Sequence, residues 1–378
     1  MHSVGFDFVI VGGGVYGMAT AYHLARLGAE SVAVLERDEP AAGASGGLGQ
    51  RGVRANRRDL RELPLMREAN RVWPTLHEEL GGETGYARTG GTYLIEGPAS
   101  TGFKGIDAAE TYARMQTAQG VPTELWDRER VRSVYPGISD DVQGASFVPT
   151  DGVASHERTT LSYAGAARRL GAQILHGTGA ASLLTASDGR VTGVLTDGGD
   201  TITARREVIL LANGGARQLV ADATGVELPI WTIYPLASQL RTSTAARIPM
   251  LTGHETRPLS VKTLGNDVML SGGWRGRATP NGPEVVAERL EGNIAVLQRI
   301  FPYLHDLEVV AADASRAESA SVDQIPIIGR YAPHLFVAAG WSGHGWAIAP
   351  VVSRLIAEDV LLGSPSPLLA PFSPQRFR

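Results

Sequence analysis

A glycine turn near the N-terminus has the residue types and the spacing of a dinucleotide-binding site. Gly12, Gly14 and Gly17 form G-x-G-x-x-G between an apolar run at 6–11 and a helical pattern that stops at Gly28. Glycines at this spacing let the backbone approach a pyrophosphate, and the following helix offers free N–H groups and the positive end of its dipole. The alternative is the glycine turn of any α/β protein, and the flanking strand and helix disfavour it.

An acidic residue follows where the adenosine ribose of such a site would lie. Glu36 ends a second β-branched run, "SVAVLER", about twenty residues after the glycines. A carboxylate at this point accepts hydrogen bonds from both ribose hydroxyls and disfavours a 2′-phosphate. The motif therefore predicts FAD or NAD and argues against NADP.

A second glycine-rich segment lies near the C-terminus. The stretch "GWSGHGWAIAP" at 340–350 contains three glycines, two tryptophans and a histidine. It separates a strand-like run from a long amphipathic helical pattern, so this helix also begins after a glycine turn. The stretch is not a nucleophile elbow, because His344 stands where G-x-S-x-G requires its last glycine.

Composition excludes several other classes of site. The chain of 378 residues has no cysteine, which excludes disulfides, thiolate metal sites and cysteine nucleophiles. Its nine histidines do not fall into metal-ligand spacing, so no metal is expected. A net charge of −4 argues against a nucleic-acid partner. No apolar run reaches the length of a membrane span, and the N-terminus has no basic leader, so we expect a cytoplasmic protein.

The apolar patterns predict an α/β fold in two parts. The segments 1–85, 142–218 and 312–378 contain strand–glycine–helix patterns, which predict one Rossmann-like nucleotide-binding domain built from discontinuous pieces. The segments 86–141 and 219–311 alternate apolar and polar residues in the manner of antiparallel strands. They predict a substrate domain with a mainly antiparallel sheet that helices flank.

An ordered set of motifs resembles the D-amino-acid oxidase, glycine oxidase and sarcosine oxidase family of FAD enzymes. The set comprises the N-terminal glycine turn with its helix and second strand, "GASGG" at 43–47, "ILLANGGA" at 209–216, "DQIPIIGR" at 323–330 and "GWSGHGWAIAP". The resemblance implies FAD rather than NAD, bound across the interface of the two domains. It also implies noncovalent FAD, because the chain lacks cysteine and "GASGGLGQRG" lacks the histidine that some relatives link to the flavin.

The motifs and the resemblance together predict the cofactor contacts. The glycines of the C-terminal segment are expected to bring N–H groups to the pyrimidine edge of the flavin, with the following helix pointing its positive end there. His344 either donates to the flavin or only satisfies backbone groups of a tight loop. The predicted contacts are Gly12, Gly14, Val15, Tyr16, Gly17, Glu36, Arg37, Ala44, Ser45, Gly46, Arg51, Gly214, Gly340, Gly343, His344, Gly345 and Trp346.

The resemblance implies amine chemistry. Family members take a hydride from a C–H beside nitrogen and give an imine that hydrolyses, with a small amine or amino acid as substrate. Molecular oxygen or another electron acceptor then reoxidises the flavin. The alternatives are a dehydrogenase or tailoring enzyme on the same scaffold, the flavin subunit of a larger oxidase, and an NAD-binding sensor. The oligomeric state stays open.

Four residues are candidates for the catalytic centre, namely Arg54, His344, Trp341 and Trp274. Arg51 and Arg54 stand where sarcosine oxidases have an arginine near the flavin and another on the substrate carboxylate. Arg54 is the candidate for the carboxylate, which its planar guanidinium can bind with two hydrogen bonds; the alternative is that 51–61 is a solvated helix face. Trp341 and Trp274 adjoin glycines and are expected to line a pocket over the flavin, although tryptophan more often packs in a core.

Two positions depart from the pattern of the monomeric sarcosine oxidases. Ala347 replaces a lysine that helps to hold the carboxylate, so we expect sarcosine to be a poor substrate and a bulkier one to use the space beside Trp346. Met269 aligns with a lysine near flavin N5. Slow reaction with oxygen is expected unless Lys262 or Arg275 supplies the cation, and Lys262 is expected at the surface.

Overall fold

The structure is a computed structural model that describes residues 3–45, 49–97, 104–244 and 248–377. Its strands are β1 (Ser3–Val11), β2 (Val32–Leu35), β3 (Gln50–Val53), β4 (Gly91–Glu96), β5 (Glu124–Asp127), β6 (Val142–Val148), β7 (Gly152–Ser155), β8 (Gln173–Leu175), β9 (Ala180–Thr185), β10 (Val191–Thr196), β11 (Thr201–Leu210), β12 (Ile230–Ile233), β13 (Ala237–Arg241), β14 (Leu251–His254), β15 (Ser260–Leu264), β16 (Asp267–Ser271), β17 (Arg277–Thr279), β18 (Gly282–Glu284), β19 (Glu308–Asp313), β20 (Glu318–Ser321), β21 (Ile327–Ala332) and β22 (Leu335–Ala339).

The α-helices of the same ranges are α1 (Val15–Arg26), α2 (Leu63–Val72), α3 (Leu76–Leu80), α4 (Ile106–Ala118), α5 (Arg128–Val134), α6 (His156–Arg169), α7 (Ala216–Thr224), α8 (Ala287–Ile300) and α9 (Gly345–Leu362). Short 3-10 helices lie at Trp73–Thr75, Asn213–Gly215, Pro367–Phe372 and Pro374–Phe377.

The first sheet has eight strands and a mainly parallel centre. Its order is β21-β22-β11-β1-β2-β8, and β10 joins β11 to β9 by antiparallel pairing. β1 pairs in parallel with both β11 and β2, while β11 pairs in parallel with β22. The central strands therefore come from the beginning, the middle and the end of the chain.

Helices cover both faces of this sheet. Phe8 and Ile10 of β1 pack in the core with α1, α6 and α9, whereas Val9 and Val11 pack on the opposite face with α7. Because a central parallel strand is buried on both faces, β1 is a continuous apolar run rather than an alternating one. It delivers the glycine turn to the carboxyl edge of the sheet, where nucleotides bind in such folds.

The second sheet has the order β19-β13-β16-β15-β14-β4-β6-β5. β14 and β4 are parallel, and the other pairs are antiparallel. One face packs on α5 and α8 through residues that include Val261 and Leu270. Since successive side chains of a strand point to opposite faces, Tyr93, Lys262 and Met269 lie on the other face.

The predicted fold class is confirmed, since a parallel Rossmann-like sheet and a mainly antiparallel sheet are both present. One strand differs from its predicted neighbourhood. β6 was placed with the nucleotide-binding segments, but it pairs with β4 and β5 in the second sheet. The partners of a strand, and not its own residue pattern, decide which sheet it joins. The division of the chain into domains stays a prediction.

Candidate active site

The glycine turn connects β1 to α1 and leaves an open space in front of the helix. Gly12 has a φ of +110°, and a Cβ on it would lie 2.7 Å from the carbonyl oxygen of Leu211. A Cβ on Gly17 would overlap the carbonyl oxygen of Gly12. Gly14 is different, because a Cβ there would meet no protein atom within 4 Å. The outer two glycines thus allow close packing, and Gly14 faces space that a pyrophosphate can enter.

The start of α1 and the carboxylate beside it suit an anionic nucleotide. Gly14 is the N-cap of α1, and no side chain caps the helix. Its first N–H groups and the positive end of its dipole are therefore available to a phosphate. Glu36 accepts a hydrogen bond from Gly13 N at 2.6 Å and another from Asp38 N at 2.9 Å. Each carboxylate oxygen has a second lone pair for a ribose hydroxyl, and Arg37 is exposed next to it.

The C-terminal glycine segment folds back onto α1. The ring of Trp341 stacks on Tyr16 with centroids 3.8 Å apart, and the Tyr16 hydroxyl donates to the carbonyl oxygen of Gly345 at 2.6 Å. Both rings are buried. The structure thus brings two predicted cofactor motifs together. The face of Trp341 is covered by Tyr16, so this tryptophan packs between the motifs rather than lining an open pocket.

Two of the three N–H groups expected to face the flavin are used within the protein, which corrects that expectation. Gly340 N donates to Ser319 Oγ at 2.8 Å, and Gly343 N donates to Glu318 Oε1 at 3.0 Å. The other oxygen of Glu318 accepts from Ser45 Oγ at 2.6 Å. Burial raises the pKa of this carboxylate. Glu318, which the sequence analysis missed, therefore joins the two glycine-rich loops expected to flank the flavin.

The arginines of the segment 51–61 are not an exposed helix face, and they differ in their partners. Arg57 forms an ion pair with Glu255. Arg58 is buried, and its Nη1 lies 3.3 Å from Glu62 Oε1, which is also buried. Arg54 has no carboxylate within ion-pair distance in the described ranges. Its charge is thus the one left available for an external carboxylate.

Arg54 lies close to His344 and to the second sheet. Its guanidinium carbon is 5.2 Å from the centroid of the Tyr93 ring. Arg58 Nη1 donates to the carbonyl oxygen of His344 at 2.8 Å, and His344 Nδ1 lies 3.8 Å from Glu62 Oε2. Burial, followed by the charges of Arg58 and Arg54, lowers the pKa of His344 to about 3. Its imidazole is therefore neutral at pH 7.

Lys262 is buried, so the prediction of a surface residue was wrong. Its exposed fraction is 8%. Burial, followed by the charge of Arg51, lowers the pKa of its ammonium to about 8. Lys262 is the direct cross-strand partner of Met269. The cation of Lys262 therefore lies on the strand next to Met269, the residue that takes the place of the lysine in the monomeric sarcosine oxidases.

The remaining predicted residues lie in three kinds of place. Trp274 is away from this cluster, because its Nε1 donates to Pro258 O at 3.0 Å and its ring covers Gly292 of α8, the helix on the other face of the second sheet. Gly214 follows β11, and a Cβ added to it would lie 3.1 Å from Thr232 Oγ1. Gly46 lies outside the described residues.

The segment that precedes Arg51 borders a cavity. Arg51 Nη2 lies 3.5 Å from the carbonyl oxygen of Ala44, and burial lowers the pKa of Arg51 to about 10. A cavity of about 550 Å³ lies between residues 39–42, Gln50 and the start of α6. Cavities of this size accommodate organic cofactors or substrates.

The family assignment follows from the match between residues 7–359 and the family model DAO, described as FAD dependent oxidoreductase. This chain belongs to the DAO family. The predictions of the family, of an enzyme and of FAD are thereby confirmed.

Two curated relatives of this DAO-family chain show how its length compares with theirs. It is 28% identical over 386 residues to sarcosine oxidase subunit beta of Arthrobacter sp, with 98% of this chain and 91% of the relative covered. It is 27% identical over 389 residues to the mitochondrial pyruvate dehydrogenase phosphatase regulatory subunit of Mus musculus, with 98% and 43% covered. It therefore spans nearly all of the first relative and less than half of the second.

Two solved structures share the fold of this DAO-family chain. L-proline dehydrogenase from P.horikoshii superposes with a TM-score of 0.86 at 25% identity, covering 100% of this chain and 98% of that one. Glycine oxidase from Geobacillus kaustophilus gives a TM-score of 0.80 at 22% identity, covering 98% of both chains. At this identity, the glycine oxidase structure shows only that the two proteins share a fold.

The residues of this DAO-family chain fit FAD. The open space at Gly14 and the uncapped start of α1 suit the pyrophosphate, and Glu36 suits the ribose. Trp346 lies in the first turn of α9, and its Nε1 is buried with no hydrogen-bond partner in the part of the chain that the structure describes. A cofactor oxygen would satisfy this donor, because a buried indole N–H without an acceptor costs free energy.

Within the described ranges, no group of three or more His, Asp and Glu side chains could hold a metal ion. None of the helices there combines the length and the hydropathy needed to cross a bilayer.

Proposed function

We propose that this DAO-family chain oxidises the C–N bond of a secondary amine or amino acid that carries a carboxylate. Noncovalent FAD is the hydride acceptor, and molecular oxygen is the final electron acceptor. One observation carries the proposal. Among the residues that the structure describes, no carboxylate pairs with Arg54, while its neighbours Arg57 and Arg58 each pair with one. The names of the relatives, a sarcosine oxidase subunit and an L-proline dehydrogenase, support substrates of this class.

Arg54 has the chemistry of a carboxylate receptor. A guanidinium binds a carboxylate through two parallel N–H···O bonds, which fixes the orientation of the ligand as well as its position. The Tyr93 ring lies against the guanidinium from the second sheet. A bound substrate would be held on the face of that sheet which also presents Lys262 and Met269.

The cations of the site also favour the reactive form of the amine. FAD, when bound, supplies the two-electron acceptor. Arg54 and Lys262 would place positive charge beside the substrate, and like charges lower the pKa of an ammonium group beside them. An amine in this site would therefore bind unprotonated, with a free lone pair, and no strong side-chain base is needed. Arg54 then serves to orient the C–H bond for transfer.

The use of oxygen rests on Lys262. A buried cation stabilises negative charge that develops on oxygen as it accepts electrons. Of the two substitutes considered for the missing lysine at Met269, Lys262 is buried next to that position, whereas Arg275 is exposed.

The substrate is proposed to differ from sarcosine because one cation is absent. Ala347 stands where the monomeric sarcosine oxidases have a lysine, so Arg54 holds the carboxylate alone. The space expected beside Trp346 is not open, since the rings of Trp73 and His156 flank it with centroids 5.2 and 6.4 Å away. Trp73 Nε1 also donates to the carbonyl oxygen of Ala347 at 2.8 Å. Since one cation fewer weakens the binding of any carboxylate, the preferred substrate must gain binding energy from contacts that sarcosine is too small to make.

The first experiment is the visible spectrum of the purified protein. We expect the absorption of oxidised flavin, and we expect acid precipitation to release the flavin into the supernatant. A colourless protein that takes up no added FAD would refute the proposal. Flavin that stays with the precipitate would refute only its noncovalent binding.

The second experiment tests the substrate. Under argon, proline and N-methyl amino acids larger than sarcosine should bleach the flavin faster than sarcosine does, and admission of oxygen should restore its colour quickly. Restoration only by an added dye would point to a dehydrogenase instead. Arg54→Ala should raise the KM for a carboxylated substrate about a hundredfold, the scale of losing a bidentate charged contact. The matched control is Arg61→Ala, which removes an exposed arginine from the same segment. An unchanged KM in Arg54→Ala would contradict the role of Arg54.

A further inference from the structure

The turn that follows β3 is attached to the rest of the molecule by two buried polar side chains. Asp151 accepts hydrogen bonds from Ala55 N at 2.6 Å and from Asn56 N at 3.1 Å. The side chain of Asn56 donates to the carbonyl oxygens of Ser146 at 2.9 Å and of Gly91 at 3.3 Å. Asp151, Asn56 and Ser146 are all buried.

These contacts link the turn to the second sheet on two sides. Gly91 begins β4 and Ser146 lies in β6, so Asn56 bridges adjacent strands. Ser146 Oγ also donates to Asn56 Oδ1 at 3.0 Å, which fixes the orientation of the amide. Asp151 stands in the connection between β6 and β7, and β7 pairs with β3.

Arg54 is the residue that this attachment holds in place. It precedes Ala55 directly, its side chain donates to the carbonyl oxygen of Asn56, and its guanidinium lies over Tyr93. Tyr93 is two residues from Gly91 on β4, so the backbone of the turn and the side chain of Arg54 rest on the same strand. A shift of the turn along the sheet would move Arg54 away from that ring.

Stability alone does not account for a carboxylate at position 151. Burial raises the pKa of Asp151 to about 7 in spite of its two N–H donors and of Arg54 and Arg58 nearby. A raised pKa means that the ionised form is less stable in the folded protein than in water. The two N–H groups need an acceptor at this position, because an unpaired buried donor costs stability, but they do not need one that carries a charge.

We propose that Asp151 and Asn56 are positioning residues, which hold the turn at 54–58 on the second sheet so that Arg54 is aligned for the substrate carboxylate. The inference rests on the proposed function of Arg54. Asp151 itself touches neither substrate nor cofactor. It acts through the backbone N–H groups of Ala55 and Asn56, and Asn56 acts through the strands that it bridges.

The test uses the FAD-loaded protein and a carboxylated substrate that bleaches it. In Asp151→Asn one side-chain oxygen is replaced by an NH₂ group that faces a backbone N–H, so one of the two bonds is lost. We expect the KM to rise about tenfold to a hundredfold, the cost of misplacing a binding group by about 1 Å. We expect kcat to fall as well, because Arg54 also orients the C–H bond, and we expect little change in FAD content or in the kinetics of an uncharged amine. Ser146→Ala should raise the same KM by a smaller factor.

A double variant separates this inference from the proposed function. Asp151→Asn should have no further effect on the KM once Arg54 has been replaced by alanine, because the two changes act on one contact. If Arg54→Ala leaves the KM unchanged, the proposed function fails. If Arg54→Ala raises the KM and both Asp151→Asn and Ser146→Ala leave it unchanged, the positioning role is overturned.

A pH profile of the wild type supplies a measurement that needs no variant of Asp151. Protonation removes one acceptor of the carboxylate, so the KM, expressed as the concentration of unprotonated substrate amine, should rise as the pH falls through about 7. Arg54 and Arg58 are the charged groups that the turn presents to Asp151. On the other side, Asp151 faces Gly90 and Gly91 at the start of β4, which have no side chain to titrate. Glu62 has a raised pKa and pairs with Arg58, so Glu62→Gln must keep the inflection. A KM for the unprotonated amine that shows no inflection near pH 7 would contradict the inference.

Discussion

Replacing Gly14 by alanine separates binding of the cofactor from folding of the chain. Gly14 has φ −72° and ψ −174°, an extended conformation that any L residue adopts. The added methyl would meet no protein atom within 4 Å. Alanine is a poorer N-cap than glycine, so the apoprotein should lose about 1 kcal/mol of stability or less.

The same methyl would occupy the space through which the diphosphate reaches the start of α1. A methyl group moves a phosphate oxygen beyond the distance of about 3 Å that an N–H···O bond requires. Hydrogen bonds to a charged group contribute about 1.5–3 kcal/mol each, so the loss of two costs about 3–6 kcal/mol. This corresponds to a rise of about 10²- to 10⁴-fold in the Kd for FAD.

The assay is a fluorescence titration of the apoprotein with FAD, with thermal unfolding of the same samples. The matched control is Gly165→Ala, which adds a methyl within α6 at 3.5 Å from Arg169 Nη1 and away from the glycine turn. Gly17→Ala gives the opposite contrast, since its Cβ would overlap the carbonyl oxygen of Gly12 and should lower the melting temperature of the apoprotein. A Kd for Gly14→Ala within threefold of the Gly165→Ala value would refute the assignment of the pyrophosphate site.

Three further changes test separate groups. Glu36→Ala should weaken FAD binding by about 1.5–3 kcal/mol, with a smaller loss in Glu36→Gln because the amide oxygen still accepts from Gly13 N; an unchanged Kd in the titration would count against the ribose contact. Lys262→Met should slow the reaction of the reduced protein with oxygen about a hundredfold. In the wild type this rate should fall as the pH rises through about 8, because the Lys262 ammonium then loses its proton. Stopped-flow rates that are independent of pH would contradict the role of Lys262 in the reaction with oxygen. Asp151 is protonated in the folded protein at pH values where the unfolded chain has released its proton, so the wild type should lose stability as the pH rises from about 4 to about 7. In Asp151→Asn, the free energy of unfolding measured with urea should not fall over this pH range. If it falls with pH as steeply in the variant as in the wild type, the linkage to Asp151 is excluded.

The parts of the site that depend on short stretches of sequence could be predicted. The glycine turn, the helix after it and Glu36 lie within one βαβ unit, where the apolar pattern fixes each strand and the glycines fix the turn. The start of α9 after the C-terminal glycines follows the same logic. These features are local, because the residues that define them are also the residues that contact one another.

The parts that depend on strand pairing could not be predicted. The alternation in "SVKTL" shows that Lys262 and Val261 face opposite sides of a strand, but it does not show which side faces the site. Met269 was expected near flavin N5, with Lys262 or Arg275 as possible sources of a cation, and the sequence could not decide between these two because the register that places Lys262 beside Met269 exists only in the folded sheet. Glu318 gave a signal that was overlooked, since it is an acidic residue at the start of the strand "ESAS", whose other residues are small and buried.

The stacking of Trp341 on Tyr16 has a consequence for biosynthesis. The hydrogen bond beside it joins Tyr16 to Gly345 across 329 residues of sequence. On the ribosome, the loop that covers the start of α1 and the strand β22 that completes the centre of the sheet are therefore made more than 300 residues after the glycine turn. The start of α1 can be covered only after residues 335–345 have been synthesised. Until then, the apolar face of α1 that α9 covers is exposed, and exposed apolar surface of this kind promotes aggregation.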